Sequence, residues 1–298
     1  MCGISGIISR INPGDRAVVE SMNAIQAHRG PDMDKVCEYN EAVLGHRRLS
    51  IIDLDDRSSQ PMESRDGRYA IVFNGEIYNY KEIKSELLKD YYFKTESDTE
   101  VLLASFITWG KECLTRFVGM FAFCIYDTLN KEAFLARDHF GQKPIFLYQE
   151  SDRLIFSSEI KAILATGVKP IPDYETWSRY LISASYDDDS ATFFKGISQL
   201  IPGEYAIWDM QKGLRKYKYY SLSRDIGNNK SDIVEVAHMT RELLVHSAKI
   251  HMRSDVPVGV SLSGGLDSSV LLACLNLSGD INKHLRCVSL EYADSLSE

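Results

Sequence analysis

A cysteine stands at position 2, directly after the initiator methionine. Removal of Met1 would place the thiol of Cys2 and a free α-amine on the same residue. Such an amine, whose ordinary pKa is about 7.7–8.0, can accept the thiol proton and leave a nucleophilic sulfur. The second residue of a chain is often arbitrary, so Cys2 alone establishes nothing. Covalent catalysis also needs groups that hold the negative charge created by the attack.

The run Asn74-Gly75-Glu76 follows an apolar segment, Tyr69 to Phe73. A simple hairpin turn would explain the Asn-Gly pair, because this dipeptide is common in two-residue turns. The same pair also has the groups of an oxyanion hole, since the Asn74 amide and the Gly75 backbone N–H can hold the oxygen of a tetrahedral intermediate. A glycine lets the backbone approach closely. The motif alone leaves both explanations open.

Two charged residues have the chemistry to hold the ends of a zwitterion. Arg48 lies in the run His46 to Asp53 and can clamp a carboxylate with two parallel hydrogen bonds. Asp98 lies in Glu96 to Glu100 and can receive an ammonium group. Each has a plainer explanation, because most single arginines are solvated and an aspartate before a helix often caps it. Asp98 could cap the helix and also receive the ammonium group.

A second candidate site is the Ser/Gly-rich run from Ser261 to Ser269, placed between a predicted strand and a predicted helix. Small residues there let backbone N–H groups and hydroxyls surround an anion, and the helix N-terminus adds a favourable dipole. The run lacks both the Gly-Lys-Ser/Thr ending of a Walker loop and a GxGxxG motif. The plainer explanation is a Ser/Gly turn with Asp267 as the helix cap.

The elements that must position these residues are short strands mixed with a few helices. This pattern predicts a layered α+β fold with antiparallel sheets over the first two hundred residues. The predicted strands are Ile4–Ile8, Ala42–Ile52, Tyr69–Phe73, Met120–Asp127, Ala133–Ala136, Ile145–Tyr148 and Leu154–Phe156, with a hairpin at Glu204–Trp208 and Leu214–Tyr219. The predicted helices are Arg16–Gln26, Lys81–Leu88 and Thr99–Trp109, the last capped by Ser97 or Asp98.

The pattern changes after residue 230. Apolar residues from Ile233 to Ala248 fall on one helical stripe, with Ser231 as its expected cap. A strand at Val258–Leu262, a helix at Asp267–Leu277 and a strand at Arg286–Leu290 follow. This strand–helix–strand unit is the start of a parallel α/β sheet.

Composition is that of a packed protein, with 44% hydrophobic and 26% charged residues in a chain of 298. The net charge of −8 argues against nucleic acid as a partner, since that partner needs a basic face. The six cysteines form no CxxC pair, which is typical of a reducing compartment. The apolar runs are too short to span a bilayer and no signal peptide precedes them. We therefore expect a cytoplasmic protein without membrane partners.

Several runs, in this order and spacing, resemble class II glutamine amidotransferases. They are Met1-Cys2-Gly3-Ile4-Ser5-Gly6, His28-Arg29-Gly30-Pro31-Asp32, Arg48-Leu49-Ser50-Ile51, Asn74-Gly75-Glu76-Ile77-Tyr78-Asn79, Ser97-Asp98-Thr99-Glu100, Gly119-Met120-Phe121-Ala122-Phe123, Arg137-Asp138-His139-Phe140-Gly141 and Ser158-Glu159-Ile160-Lys161-Ala162. Each run is weak alone, and their common register carries the resemblance. It implies a four-layer αββα sandwich of the N-terminal nucleophile hydrolase type.

The resemblance also implies the roles of residues. Cys2 would attack the side-chain amide of glutamine while Asn74 and Gly75 hold the oxyanion. Arg48 would bind the α-carboxylate, and Glu76 and Asp98 the α-ammonium. The implied glutamine-binding set is Arg48, Leu49, Ser50, Ile51, Ile52, Asn74, Gly75, Glu76 and Asp98.

Ser263-Gly264-Gly265-Leu266-Asp267-Ser268 is similar to the pyrophosphate loop of ATP pyrophosphatases, and its lead-in from Ser254 resembles the asparagine synthetase branch. The resemblance implies binding of ATP with Mg²⁺. The implied ATP-binding residues are Leu262, Ser263, Gly264, Gly265, Asp267, Ser268 and Val288. Together the two halves resemble glutamine-dependent asparagine synthetases, with glutamine, aspartate and ATP as small-molecule partners. No protein metal site is expected, and His28, His46 and His139 are interpreted as packing or hydrogen-bonding residues.

The predicted organisation is an amidotransferase domain at 2–214, a linker at 215–230 and the first part of an ATP pyrophosphatase domain at 231–298. The last is expected to be incomplete, since such a domain needs more than two strands, and to expose apolar surface and an open sheet edge. Alternatives remain open: an amidotransferase with another acceptor (a sugar, peptide or modified acid), a free-standing glutaminase, or a non-catalytic module that binds glutamine. The oligomeric state is also open, with a homodimer as the candidate.

Overall fold

The computed structural model describes residues 1–10, 14–186, 188–222, 232–279 and 285–289. The chain divides into two compact units, Met1–Leu222 and Ser223–Glu298. The domain boundary predicted after residue 214 falls inside a strand, Gly213–Lys218, which pairs with Glu204–Asp209 and so belongs to the first unit. The rest of the predicted linker, residues 223–230, lies outside the described residues.

The described elements are named in chain order. The strands are β1 (Gly3–Ile8), β2 (Met33–Tyr39), β3 (Ala42–Arg48), β4 (Met62–Glu63), β5 (Tyr69–Ile77), β6 (Gly119–Asp127), β7 (Glu132–Arg137), β8 (Phe146–Glu150), β9 (Arg153–Ser157), β10 (Ile197–Gln199), β11 (Glu204–Asp209), β12 (Gly213–Lys218), β13 (Gly259–Ser261) and β14 (Arg286–Val288). The helices are α1 (Asp15–Ile25), α2 (Tyr80–Leu87), α3 (Asp98–Trp109), α4 (Ile160–Leu164), α5 (Tyr174–Ser183), α6 (Ile233–His251) and α7 (Leu266–Leu277).

The first unit is built on two antiparallel six-stranded sheets. One has the strand order β10-β8-β9-β1-β3-β2 and the other β12-β11-β7-β6-β5-β4. Side chains from both sheets, such as Ile4 and Leu44 from one and Val72 and Ala122 from the other, share one core, so the sheets pack face to face. The outer face of the first sheet packs on α1 and α4, and that of the second on α2 and α3. The predicted αββα sandwich is confirmed.

The alternation along β5 and β6 shows why both strands read as nearly continuous apolar runs. In β6, Phe121 and Phe123 face the α2–α3 layer, whereas Ala122 and Cys124 face the opposite sheet. Successive side chains of a strand point to opposite faces, so a strand covered on both faces needs apolar residues at every position. Apolar side chains on the two faces of β5 and β6 therefore pack against the opposite sheet and against the α2–α3 layer.

Some predicted elements needed correction. The strand predicted at Ala42–Ile52 ends at Arg48, because the chain then bends away and the Ser50 N–H donates to Asp32 Oδ2 at 2.7 Å. The strands β2, β4 and β10 and the helices α4 and α5 were not predicted. β2 is the edge strand of its sheet and its side chains are only partly buried, so its pattern is weak.

In the second unit, β13 and β14 pair in parallel and α7 follows β13, which is the predicted strand–helix–strand order. The residue that precedes α6 is Asp232, whereas the expected cap Ser231 lies outside the described residues. As expected, large apolar side chains are exposed on both helices, with Leu243 at 69% and Leu266 at 78%. None of the helices in the described ranges combines the length and apolar character that a bilayer crossing requires.

Candidate active site

A cavity of about 180 Å³ lies in the first unit, lined by residues from the start of the chain, the end of β3, the C-terminal half of β5 and the start of α3. Its lining consists of Met1, Cys2, Arg48, Leu49, Ile51, Ile52, Ser58, Gln60, Phe73, Asn74, Gly75, Glu76, Ser97, Asp98, Thr99, Met120 and Lys143. The fold thus brings Cys2 to residues that are far away in sequence.

Cys2 is held through both its backbone and its sulfur. Its carbonyl accepts a 2.9 Å hydrogen bond from Arg29 Nε, and Arg29 is held in turn by Glu159 at 3.1 Å. The backbone N–H of Leu49 donates to Sγ at 3.4 Å, and the Leu49 carbonyl lies 3.6 Å from Sγ as an acceptor. Burial raises the pKa of the thiol, whereas the Leu49 N–H and the N-terminal amine lower it. The sulfur is fixed in place and requires a base.

Asn74 lies in β5 with its side chain fully buried. Among the residues that the structure describes, neither its Oδ1 nor its Nδ2 has a hydrogen-bond partner. A buried amide without partners costs roughly 1–3 kcal/mol, so each case in a native protein needs an explanation. Because this amide lines the cavity beside Cys2, a ligand atom in the cavity can serve as its hydrogen-bond partner. The geometry fits an oxyanion donor.

Gly75 lies against β6 with no room for a side chain. A Cβ placed on it would lie 2.1 Å from the Met120 carbonyl oxygen and 2.7 Å from the Phe121 Cα. The neighbouring strand therefore requires glycine at this position. The hairpin-turn explanation is wrong, because Asn74 and Gly75 lie inside β5 and pair with Ala122 and Phe121.

Arg48 ends β3 and is only 5% exposed. Its Nη1 donates to the Asp55 carbonyl at 3.0 Å and its Nη2 to the Asp53 carbonyl. These bonds hold the bend after β3, where Asp53 has a φ of 51°. A guanidinium has five N–H donors, so donors remain for a ligand carboxylate. Arg48 is a built-in part of the cavity wall, and the solvated-arginine explanation is wrong.

Glu76 on β5 and Asp98 at the start of α3 place two carboxylates on the cavity. Ser97, and not Asp98, caps α3, since its Oγ accepts from the Thr99 N–H at 3.0 Å. Asp98 Oδ2 instead accepts from the Ile77 N–H at 3.0 Å and ties α3 to β5. Burial raises the pKa of Asp98 to about 7 and also raises the pKa of Glu76. Two poorly solvated carboxylates favour a cationic group.

The substitution Asp98→Asn is expected to stabilise the chain at alkaline pH. The pKa of Asp98 in the folded state, about 7, lies above the ordinary value of 3.8. Between these values the folded state binds more protons than the unfolded chain, so wild-type stability falls as pH rises through that window. Asparagine keeps an acceptor for Ile77 and has no charge. Urea unfolding should therefore show a gain of roughly 4 kcal/mol at pH 8 and almost none at pH 4.

Glu100, on the same helix, provides the matched control. It is buried as well, but its carboxylate accepts from the N–H groups of Lys94 and Thr95 and from the Thr95 hydroxyl. Removal of this charge weakens those bonds, so Glu100→Gln is expected to lower the free energy of unfolding at pH 8. If Asp98→Asn lost stability at pH 8 as well, burial of the Asp98 charge would not be unfavourable.

In the second unit the Ser/Gly-rich run connects β13 to α7. Gly264 has a φ of +82°, which glycine adopts without strain. Gly265 precedes α7 without a side-chain cap, so N–H groups of the first helical turn remain available to an anion. Asp267 lies inside the first turn, and its interpretation as the helix cap is wrong. The hydroxyls of Ser263 and Ser268 lie 3.3 Å apart beside the same turn.

A shallow cavity of about 660 Å³ lies next to this loop, and Leu262 and Gly264 are among its lining residues. The Leu262 N–H donates to the Val288 carbonyl at 2.8 Å, so these two residues of the implied ATP-binding set are neighbours. Val288 itself does not line this cavity, whereas Ser289 does. The loop, helix start and adjoining cavity form a surface suited to a phosphate-bearing ligand.

The histidines make packing or hydrogen-bonding contacts, as predicted. His28 Nε2 lies 2.8 Å from Glu159 Oε1, and His46 Nε2 lies 3.2 Å from the Phe73 carbonyl. Burial lowers the pKa of His46 to about 3, so this ring is neutral. His139 packs edge-to-face on Tyr220. Within the described ranges, no group of three or more His, Cys, Asp or Glu residues is placed to hold a metal ion.

Comparison with known families decides what this arrangement is. Residues 1–220 match the family described as "Glutamine amidotransferase domain", about three quarters of the chain. The chain belongs to the glutamine amidotransferase family. Residues 239–298, which follow the amidotransferase domain, match the family described as "Asparagine synthase".

The amidotransferase chain is similar to curated proteins named as asparagine synthetases. It is 36% identical over 308 residues to a putative glutamine-hydrolysing asparagine synthetase of Methanocaldococcus jannaschii, covering 95% of this chain and 58% of the relative. It is 34% identical over 278 residues to the glutamine-hydrolysing asparagine synthetase 1 of Bacillus subtilis, covering 92% and 43%. The chain thus spans about half the length of these relatives. Amidase chry2 of Gibberella zeae is 33% identical over 288 residues, covering 90% and 42%.

Solved structures share the fold of the amidotransferase chain. Glutamine phosphoribosylpyrophosphate amidotransferase from B. subtilis, complexed with ADP and GMP, matches with a TM-score of 0.54 at 18% identity, covering 97% of this chain and 65% of that one. An allosteric regulatory enzyme of purine biosynthesis matches with a TM-score of 0.55 at 17% identity, with the same coverage. At such identities the likeness shows the fold alone, which is the N-terminal nucleophile hydrolase sandwich.

The amidotransferase cavity contains all but one of the predicted glutamine-binding residues. The exception is Ser50, which does not line it. Sequence reasoning missed Gln60, whose Oε1 accepts from the Phe73 N–H at 2.6 Å and whose Nε2 donates to Thr99 Oγ1 at 3.1 Å. It also missed Lys143, a nearly buried lysine on the cavity wall. No local sequence pattern distinguishes either residue from a solvated one.

Proposed function

We propose that the chain carries the glutaminase half and the start of the ATP-using half of a glutamine-dependent asparagine synthetase. The complete enzyme would convert L-aspartate, L-glutamine, ATP and water into L-asparagine, L-glutamate, AMP and pyrophosphate. One observation carries the glutaminase: a single cavity holds a terminal cysteine, a buried amide without partners among the described residues, an arginine and two carboxylates. The match of residues 239–298 to the asparagine synthase family supports the acceptor.

The proposed reaction begins once Met1 has been removed. The α-amine of Cys2 takes the thiol proton, Sγ attacks the side-chain amide carbon of glutamine, and the carbonyl electron pair moves onto oxygen. The Asn74 amide and the Gly75 N–H hold this oxyanion. Collapse breaks the C–N bond, the ammonium form of the α-amine returns its proton, and ammonia leaves. Water then hydrolyses the glutamyl thioester to glutamate and free Cys2.

The two ends of glutamine would be held by opposite charges. Arg48, fixed by its bonds to the Asp53 and Asp55 carbonyls, is preorganised to bind the α-carboxylate. Glu76 and Asp98 would bind the α-ammonium. Because burial raises the pKa of Asp98 to about 7, the arriving ammonium favours its ionised form.

In the second unit, the turn Ser263-Gly264-Gly265 and the start of α7 would bind the phosphates of ATP. The available N–H groups of α7 and the hydroxyls of Ser263 and Ser268 fit an anion. Mg²⁺ would enter with the nucleotide phosphates and neutralise part of their charge. Asp267, the acidic residue in the first turn of α7, would be the carboxylate available to this Mg²⁺.

The proposal also covers the partners, the cellular location, the association state and the domains of the chain. The partners are the small molecules glutamine, aspartate and ATP, and the net charge of −8 argues against nucleic acid. A cytoplasmic location is supported by six cysteines that are all free. A homodimer is the candidate association state. The proposed domains are an amidotransferase domain, which would correspond to the unit Met1–Leu222, and a synthetase segment, which would correspond to the unit Ser223–Glu298.

Glutamate release from glutamine by the full chain, processed to begin at Cys2, tests the proposal. We expect release that disappears with Cys2→Ala, because the thioester can then no longer form. Isothermal titration with glutamine on the same samples separates catalysis from binding. A folded chain that binds glutamine without hydrolysing it would be a binding module, and one that does neither would contradict the assignment of the cavity.

A second acceptor class has one observation in its favour. Two similar proteins, amidase chry2 of Gibberella zeae and amidase chyE of Penicillium rubens, are 33% and 29% identical to this chain and are named as amidases. The glutaminase half would be the same in both cases. Production of asparagine from aspartate by a longer chain that includes this one would favour the synthetase, and failure with a fully active glutaminase would favour another acceptor.

A further inference from the structure

The cavity contains two strongly basic side chains, Arg48 and Lys143, and only the first has an assigned role. The guanidinium of Arg48 is engaged by the carbonyls of Asp53 and Asp55 at the end of the cavity formed by the bend after β3. Lys143 comes from the segment between β7 and β8. Its side chain is nearly buried, with 6% of the residue exposed. Burial of an ammonium group costs free energy unless nearby groups compensate its charge.

The backbone of Lys143 is anchored to the sheet that carries the oxyanion groups. Its N–H donates to Asp138 Oδ2 at 2.9 Å, and its carbonyl accepts from Arg137 Nε at 3.0 Å. Asp138 is fully buried, and its Oδ2 also accepts from the Phe121 N–H at 3.2 Å. Phe121 is the β6 partner of Gly75. The side chain of Lys143 therefore starts from a fixed point beside the strand of the oxyanion hole.

The charges around Lys143 fit this placement. Burial lowers the pKa of its ammonium, and the positive charge of Arg29 lowers it further, whereas the negative charges of Glu76, of an ionised Cys2 and of Asp138 raise it. Burial likewise raises the pKa of Glu76, and Lys143 opposes that rise. In the chain that retains Met1, the thiol is close to the N-terminal amine of Met1 and to Arg48, which favour its ionisation, and to Asp98, which opposes it. Lys143 and Glu76 are thus opposite charges on the wall of the cavity that Cys2 also lines.

We propose that the ammonium of Lys143 is a fixed positive charge that stabilises the thiolate of Cys2 and the oxyanion formed from it, with Glu76 keeping it protonated. This inference rests on the proposed glutaminase. In the attack the S–C bond forms, the carbonyl electron pair moves onto oxygen and the thiol proton passes to the α-amine. Asn74 and Gly75 bind that oxygen directly. Lys143 makes no bond to the substrate. It acts electrostatically, through its effect on the Cys2 thiolate and on the oxyanion, and is therefore a positioning residue.

Lys143→Met, which keeps length and removes charge, and Lys143→Arg, which keeps charge, form the test pair. Chains processed to begin at Cys2 are alkylated with iodoacetamide from pH 5 to pH 10, and the N-terminal peptide is quantified by mass spectrometry. This resolves Cys2 from the other five cysteines. We expect the midpoint for Lys143→Met to rise by about one pH unit and that for Lys143→Arg to stay close to wild type.

The kinetic counterpart is the pH profile of glutaminase kcat/KM. At pH 7 we expect about a tenfold loss for Lys143→Met, restored to within about threefold by Lys143→Arg, with the acidic limb shifted upward as in the alkylation. A loss of activity with an unshifted alkylation midpoint would overturn the inference, as would an arginine variant shifted as far as the methionine one. Lys143→Gln provides the same measurement if the methionine variant does not fold.

The two readouts separate this inference from the proposed function. Alkylation of Cys2 requires no substrate and no turnover. A midpoint that moves with Lys143→Met in a chain that never hydrolyses glutamine would support the charge effect and contradict the glutaminase. A chain that hydrolyses glutamine with a midpoint independent of Lys143 would do the reverse.

Discussion

A chain that keeps Met1 ahead of Cys2 is expected to release no glutamate from glutamine, whereas the same chain beginning at Cys2 releases it. The nitrogen of Cys2 is then a peptide nitrogen without a basic lone pair, so the thiol loses its neighbouring base. Burial of the thiol raises its pKa, which makes this base more important. Met1 also lines the cavity that holds Cys2 and reduces its free volume.

The measurement uses one preparation before and after a protease exposes Cys2. Intact mass gives the fraction of chains that begin at Cys2, and we expect glutamate release to be proportional to that fraction. The Cys2→Ala variant, cleaved by the same protease at the same position, serves as the blank. Equal activity before and after cleavage would show that the α-amine is not the base.

Asn74→Ala is expected to lower kcat by about 10²- to 10³-fold and to change KM little, because the amide binds charge that develops only after the attack. The same substitution should leave the free energy of unfolding unchanged or slightly higher. The reason is that the buried amide has no hydrogen-bond partner among the described residues, so its removal breaks none. Steady-state kinetics and urea unfolding on the same sample measure both effects.

Asn23 is the matched control, since it is an equally buried asparagine with a satisfied amide. Its Oδ1 accepts from the Ser5 hydroxyl at 2.7 Å and its Nδ2 donates to Asp34 at 2.8 Å. Asn23→Ala should therefore lower stability by about 1–3 kcal/mol and leave kcat of the folded fraction close to wild type. If Asn74→Ala also lost stability and kept kcat, the amide would be structural and the oxyanion assignment would fail.

Much of the fold could be predicted because the central strands carry strong local patterns. β5 is apolar from Tyr69 to Phe73 and β6 from Met120 to Tyr126, and this signal is present without any knowledge of their partners. The edge strand β2 has no such pattern, and the three-residue β10 exists only because β8 lies beside it. The prediction that extended β3 to Ile52 failed because a tertiary contact, from Ser50 to Asp32, ends the strand before its apolar run ends.

The site also contains residues that could be predicted from sequence and residues that could not. Cys2, Asn74, Arg48 and Asp98 belong to motifs whose order in sequence is informative, and the fold brings them to one cavity. Lys143 could not be predicted in the same way, because nothing in its neighbourhood distinguishes it from a solvated lysine. Its burial depends on the Asp138 carboxylate, which folds the preceding turn back onto β6.

The position of β1 determines the order of events during synthesis. A chain terminus is usually the most mobile part of a domain, but β1 lies between β3 and β9 in the interior of its sheet. Its Ile4 N–H bonds to Ser158 Oγ, 154 positions further along the chain. At about 5–20 residues per second, the ribosome needs roughly ten to thirty seconds to make that partner. Throughout this interval the nascent N-terminus lacks a completed sheet, so an aminopeptidase can remove Met1 before the cavity closes around Cys2. We therefore expect Cys2 to become the first residue before the cavity around it has formed.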